Sequence, residues 1–325
     1  MPRTIKPDFF SLQSYQQELW LLHHFVSKTS KTLPHDPFGP ELNTDYIPQL
    51  AIIYEHIRHL LFAFALLHFA HLDPTETMRY QSLSATYQSR AVSQFQVLLT
   101  SCPGAHESYY VFGGLLGTYI WANSRFDRHV GLGNPSTTLI GLSRVWQQPW
   151  GVPEVYQVAE RRYQPPEGSR ALAKDVMEAF DNLRVLLGMR STPTQDSVHE
   201  NVANPCALEN ANALKILRRA FEAFAAEAKT REVLCFVVDV GQDFIDLFEK
   251  GDHDSRLVVM YFGALLHYAV DDRWWAQDFG KELVDELSHV IDTSCEQSSE
   301  AVTWARSRVG LEQSPISILS LSRRR

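Results

Sequence analysis

Cysteine is scarce in this chain: four in 325 residues, at Cys102, Cys206, Cys235 and Cys295, with no CxxC pair among them. That spacing excludes a zinc ribbon and a close-set disulfide framework, and it suits the reducing interior of a cell. Positive charge is also in short supply, with 30 Lys and Arg against 38 Asp and Glu and a net charge of −8. Nucleic-acid affinity comes largely from cations that neutralise phosphates, so a broad DNA- or RNA-binding surface is not expected, although a local basic patch is compatible with the count. There is no HExxH, GxSxG or GxxxxGK[ST], and Gly131-Leu132-Gly133-Asn134-Pro135 does not fit GxGxxG and follows no convincing strand. Alternating runs long enough to build a sheet are missing, as is any repeat of fixed period.

The N-terminus, Met1 to Lys6, leads into polar sequence, so no signal peptide is read. The only long apolar stretch, Ile47 to Leu72, carries Glu55, His56, Arg58, His59, His68 and His71. Such groups are costly at bilayer depth, which makes it a buried helix and not a membrane span.

What the chain does have is core: 45% hydrophobic and 11% aromatic residues. Apolar residues recur at helical spacing in Glu18 to Leu33, Pro48 to Leu72, Glu76 to Leu99, His106 to Ala122, Thr137 to Gln148, Val155 to Tyr163 and Ser169 to Leu187. The same pattern continues in Pro205 to Lys229, Arg231 to Glu249, Ser255 to Tyr268, Asp272 to Asp292 and Glu300 to Arg308. These predict an all-α chain of about eleven packed helices in a single domain over 15–309, with an arm at 1–14, a polar linker at 191–204 and a flexible tail at 310–325. Within the fourth helix, Gly113 and Gly117 cost helical stability and therefore point to a close helix crossing.

Thirteen histidines invite a metal reading. His56 and His59, and His68 and His71, stand one turn apart, and His23-His24 lie on the first helix, but a stable site needs a third ligand. Structural histidines are the simpler reading, and neither a metal nor a cofactor is expected. Asp271-Asp272-Arg273-Trp274-Trp275 evokes the magnesium-binding motif of terpene cyclases, yet Trp275 occupies the position where a further carboxylate is needed. Asp271 and Asp272 are better read as caps of the helix that follows. Cys235, in Leu234-Cys235-Phe236-Val237-Val238, reads as a packed, inert thiol. An aromatic and apolar stripe remains. Phe244, Met260, His267, Tyr268, Trp274 and Trp275 are either core or the wall of a cavity for an apolar ligand.

Four strings carry a resemblance: ELWLLHHFVSKTSKTL, AIIYEHIRHLLFAFALLHFAHLDP, YQSLSATYQSRAVSQFQVLL and MYFGALLHYAVDDRWWAQDFGKELVDEL. In order and distance they resemble the C-terminal effector domain of fungal Zn2Cys6 transcription regulators of the sterol uptake control type, over residues 15 to 125 and again from 255 to 309. The resemblance implies an all-α domain that can dimerise in such regulators and, in sterol-responsive members, holds a hydrophobic ligand. The equivalent wall is then the segment around Met260, His267, Tyr268, Trp274 and Trp275. Four scattered cysteines cannot build the six-cysteine zinc cluster with which such regulators begin, so direct DNA binding by this chain is not expected. The chain is either a piece of a longer regulator or a stand-alone protein, and the start at Met1-Pro2 fits the second.

The expectation is therefore an effector-like regulatory protein of the nucleus or cytoplasm. It would act through a homodimer or a regulator partner and through a hydrophobic small molecule such as a sterol or secondary metabolite. The alternative is a cofactor-independent isomerase or cyclase that reuses the scaffold, with His267, Tyr268, Asp271 and Asp272 as acid/base candidates.

Overall fold

The computed structural model describes residues 8–33, 41–101, 106–129, 133–146, 173–190, 205–227 and 230–311. The expected helix at Val155 to Tyr163, the polar linker at 191–204 and nearly all of the tail lie outside these. Among the described residues there are thirteen α-helices and no strand, so the fold is all-α as the sequence predicts. The helices form two compact units, one of residues up to Tyr119 and one of residues from Ile120 onward.

The first unit holds α1 (Ser14–Ser27), α2 (Ile47–Ile53), α3 (Glu55–Leu72), α4 (Thr77–Ser101) and the first half of α5 (His106–His129). Helix α3 is its axis. Residues Leu60 to Leu67 are all buried, which is why this helix is apolar on every side, and α1, α2 and α4 pack around it. Stacked rings of Phe95 and Phe112, with centroids 4.2 Å apart, join α4 to α5. Ser84 is the buried polar tie: its hydroxyl donates to the Ala63 carbonyl at 2.8 Å and lies 3.0 Å from the Tyr119 hydroxyl. Ser84→Ala removes both contacts, and urea unfolding is expected to report a loss of about 1 kcal/mol. The arm read from the sequence is built into this unit in its described part, since Phe9 is buried against Phe69 and Tyr80.

Two predicted helices are each divided. The helix expected from Pro48 to Leu72 breaks at Tyr54, whose backbone is extended (φ −110°, ψ 111°), and the Arg58 guanidinium donates to the carbonyl of Ala51. The one expected from Arg231 to Glu249 breaks at Gly241, whose φ of 77° only glycine adopts freely. Here α9 (Arg231–Asp239) ends and α10 (Gly241–Glu249) begins.

The second unit contains the rest of α5, α6 (Pro135–Trp146), α7 (Lys174–Arg190), α8 (Pro205–Glu227), α9, α10, α11 (His253–Val270), α12 (Phe279–Val290) and α13 (Glu296–Arg308). Helix α11 is the axis here, buried continuously from Leu257 to Leu266. Its N-cap Asp252 accepts from the Ser255 amide at 2.8 Å. It packs on α8, α10, α12 and α13. A close crossing lies here: a Cβ on Gly280 of α12 would sit on the Gly263 carbonyl oxygen and the His267 amide nitrogen of α11. Gly113 and Gly117, to which the sequence assigned such a role, are both buried, while Gly114 beside them faces open space. No described helix is long and apolar enough to cross a membrane.

Candidate functional site

Aromatic residues of α9, α10 and α11 meet ring on ring. Phe236 lies 4.4 Å from Phe262 in a stack and 6.4 Å from Phe244 at a steep angle, with Phe244 and Met260 fully buried. Tyr268, on the same predicted stripe, turns the other way and is 53% exposed. Of the six residues expected to form a ligand wall, five are buried or half-buried in the second unit, and the tyrosine is presented to solvent.

The motif Asp271 to Trp275 does not begin a helix. Residues 271–278 form a turn, and α12 starts only at Phe279, so the capping role expected for Asp271 and Asp272 is corrected. Asp271 instead accepts from the amide of Asp278 at 2.8 Å, closing the turn on itself. Asp278 has φ 63°, a left-handed backbone that Asp tolerates better than most residues. Asp272 is exposed and lies 3.5 Å from Arg273. The four acid/base candidates therefore spread apart: Asp271 into a backbone bond, Asp272 and Tyr268 into solvent, and His267 against the start of the turn, with its Nδ1 3.6 Å from Asp271 Oδ1 and no hydrogen-bond partner.

Two arginines hold this turn, and the sequence reading passed over both. Arg125 Nη1 donates to the Trp274 carbonyl at 3.0 Å; Arg128 pairs with Glu282, donates to the Gln277 carbonyl at 3.5 Å and stands over the Phe279 ring at 5.0 Å. Burial lowers the pKa of both guanidinium groups; the carboxylates of Asp278 and Glu282 pull the other way. Trp121, one and two turns earlier on α5, packs edge-on to Trp275 at 5.6 Å. The available signal was the spacing, since Trp121, Arg125 and Arg128 fall at i, i+4 and i+7 on one helix face. Arg128→Leu removes the partner of Glu282 and is expected to cost about 3 kcal/mol in denaturant unfolding, part of which Glu282→Gln in the same chain restores.

In the first unit, histidines of α1 and α3 meet. His24 Nε2 lies 3.2 Å from His68 Nδ1, and the Thr29 hydroxyl lies 2.9 Å from the same nitrogen. Burial, together with the neighbouring histidines, pushes His24 down to about 4 and His68 to about 3; burial alone pushes His56 to about 4. These imidazoles are neutral packing elements. No group of three His, Cys, Asp or Glu among the described residues is placed to hold a metal ion.

No protein-family model matches this chain, and no curated protein matches it at significant similarity.

Proposed function

We propose that this chain is a non-catalytic regulatory effector, of the kind that the C-terminal domains of fungal Zn2Cys6 transcription regulators represent. The observation that carries the reading is the fate of the Asp271 to Trp275 turn, where a reaction centre would need converging acid and base groups. The Asp271 carboxylate closes the turn, and the Trp274 carbonyl and the Trp275 indole hold it on α5. The all-α architecture and the ordered likeness over α1–α5 and α11–α13 support the same conclusion. The protein acts through a partner, either a second copy or a regulator, in the nucleus or cytoplasm, and responds to an apolar small molecule.

The test is deletion in the native host, read by transcripts and metabolites together. Altered messenger RNA for a set of genes is expected; loss of a single metabolic conversion with unchanged transcripts would overturn the proposal. One observation favours the competing isomerase or cyclase reading, namely the unpartnered His267 Nδ1 beside Asp271. In that case His267→Gln would abolish the conversion in a chain that still folds.

A further inference from the structure

A polar groove runs along the first unit between α3 and α4. It is open, about 540 Å³ in volume, and lined by His59, Thr86, Ser89, Arg90, Ser93 and Gln94. The α4 residues recur at i, i+3, i+4, i+7 and i+8, so one helix face supplies all but the histidine.

The hydrogen bonds below His59 decide what it can do. Glu55 Oε2 lies 2.7 Å from Gln94 Nε2, and a carboxylate accepts only, so that end of the amide is its NH2. The Gln94 carbonyl oxygen therefore faces His59 Nδ1, at 2.8 Å, and the imidazole must donate to it. A neutral His59 is held in one tautomer, with the proton on Nδ1 and the lone pair on Nε2, and Nε2 has no partner among the described residues. Arg58 engages the other oxygen of Glu55 at 3.2 Å, which keeps the carboxylate in place.

Arg90 is exposed, with its guanidinium 5.4 Å from the centre of the Tyr87 ring and no carboxylate paired to it among the described residues. Ser89 and Ser93 flank it one turn apart, exposed, with no hydrogen bond to the rest of the described chain. The groove thus offers one unpaired cation, two uncommitted hydroxyls and one fixed imidazole acceptor. A single guanidinium balances one negative charge, and its fork fits the two oxygens of a carboxylate. An imidazole lone pair asks for an O–H.

We infer that this groove is a binding site for a small polyhydroxylated monocarboxylate of the sugar-acid class. The carboxylate sits on Arg90, and the ligand hydroxyls donate to His59 Nε2 and exchange hydrogen bonds with Ser89 and Ser93. Gln94 and Glu55 are positioning residues that act through the imidazole.

The experiment is an amide chemical-shift titration of the full chain at pH 7.5 and constant ionic strength with three probes of six carbons. Gluconate has both the charge and the hydroxyls, hexanoate has the charge alone, and glucitol has the hydroxyls alone. Gluconate is expected to shift the amides of Thr86 to Gln94 saturably and at least fivefold more tightly than either other probe. Arg90→Gln should lower gluconate to the level of glucitol. His59→Phe, or Gln94→Met if that variant does not fold, should lower gluconate towards hexanoate while leaving hexanoate unchanged. Equal binding of gluconate and hexanoate, unaltered binding by Arg90→Gln, or shifts spread over the whole surface would each overturn the assignment.

Discussion

Gly280→Ala is expected to destabilise the second unit by about 3 kcal/mol or more, in chemical denaturation monitored by tryptophan fluorescence. The added methyl group would meet backbone on two sides, the Gly263 carbonyl oxygen and the His267 amide nitrogen, and neither atom can rotate away as a side chain would. The two helices must move apart, and α11 is the axis on which this unit packs. Gly263→Ala is the milder partner, since its Cβ would come within 3.1 Å of the Gly280 carbonyl oxygen and of a Val284 methyl group. Gly114→Ala is the control. The site is exposed and open, so the substitution should stabilise by about 0.5–1 kcal/mol through helix propensity alone.

Lowering the pH from 7 to 5 is expected to cost about 2 kcal/mol for each of His24, His56 and His68. All three are held neutral by burial, with folded-state values pushed down to about 4, about 4 and about 3 from an ordinary 6.5. Above 6.5 neither the folded nor the unfolded chain takes up the proton, and stability is unaffected by these groups. Below it the unfolded chain binds protons that the folded chain refuses, so stability falls through the window from 6.5 to about 4 for His24 and His56 and to about 3 for His68. His24 and His68 share one contact, 3.2 Å between ring nitrogens, so the first of the two to be protonated repels the second. His68→Asn keeps a polar atom near Thr29 and removes one titrating group. Urea midpoints measured between pH 7 and 5 should then show a slope shallower by about 1 kcal/mol per pH unit, and a slope unchanged by the substitution would refute the assignment.

The two axial helices were legible in the sequence because burial on all sides leaves no polar face to blur the pattern, as in Leu60 to Leu67 and Leu257 to Leu266. Helix breaks were harder to read. At Tyr54 nothing local forces an extended backbone, whereas at Gly241 the punctuating residue was present but sat inside an unbroken apolar period. The Gly113 and Gly117 pair, one turn apart on one helix, is buried, whereas the crossing at Gly263 and Gly280 is made by glycines on two different helices, 17 residues apart, and single-helix spacing cannot show it. Phe244, Met260, Trp274 and Trp275 of the aromatic stripe lie in the interior of the second unit. Tyr268 left it because α11 ends two residues later and its last turn exposes that face. Arg125 and Arg128 were passed over because an arginine on an amphipathic helix ordinarily faces water, and only the turn that packs on them gives these two a buried role.

The claim on which the functional account rests is that the Asp271 to Trp275 turn is architecture and the chain works by regulation, not by chemistry. It is tested most directly by fusing the chain to an unrelated DNA-binding module and measuring a reporter gene, with and without the triple substitution His267→Gln, Tyr268→Phe and Asp272→Asn. A several-fold change in reporter output that the triple variant retains is the predicted result. A reporter indifferent to the fusion, together with a metabolite that the purified chain converts and the triple variant does not, would contradict it.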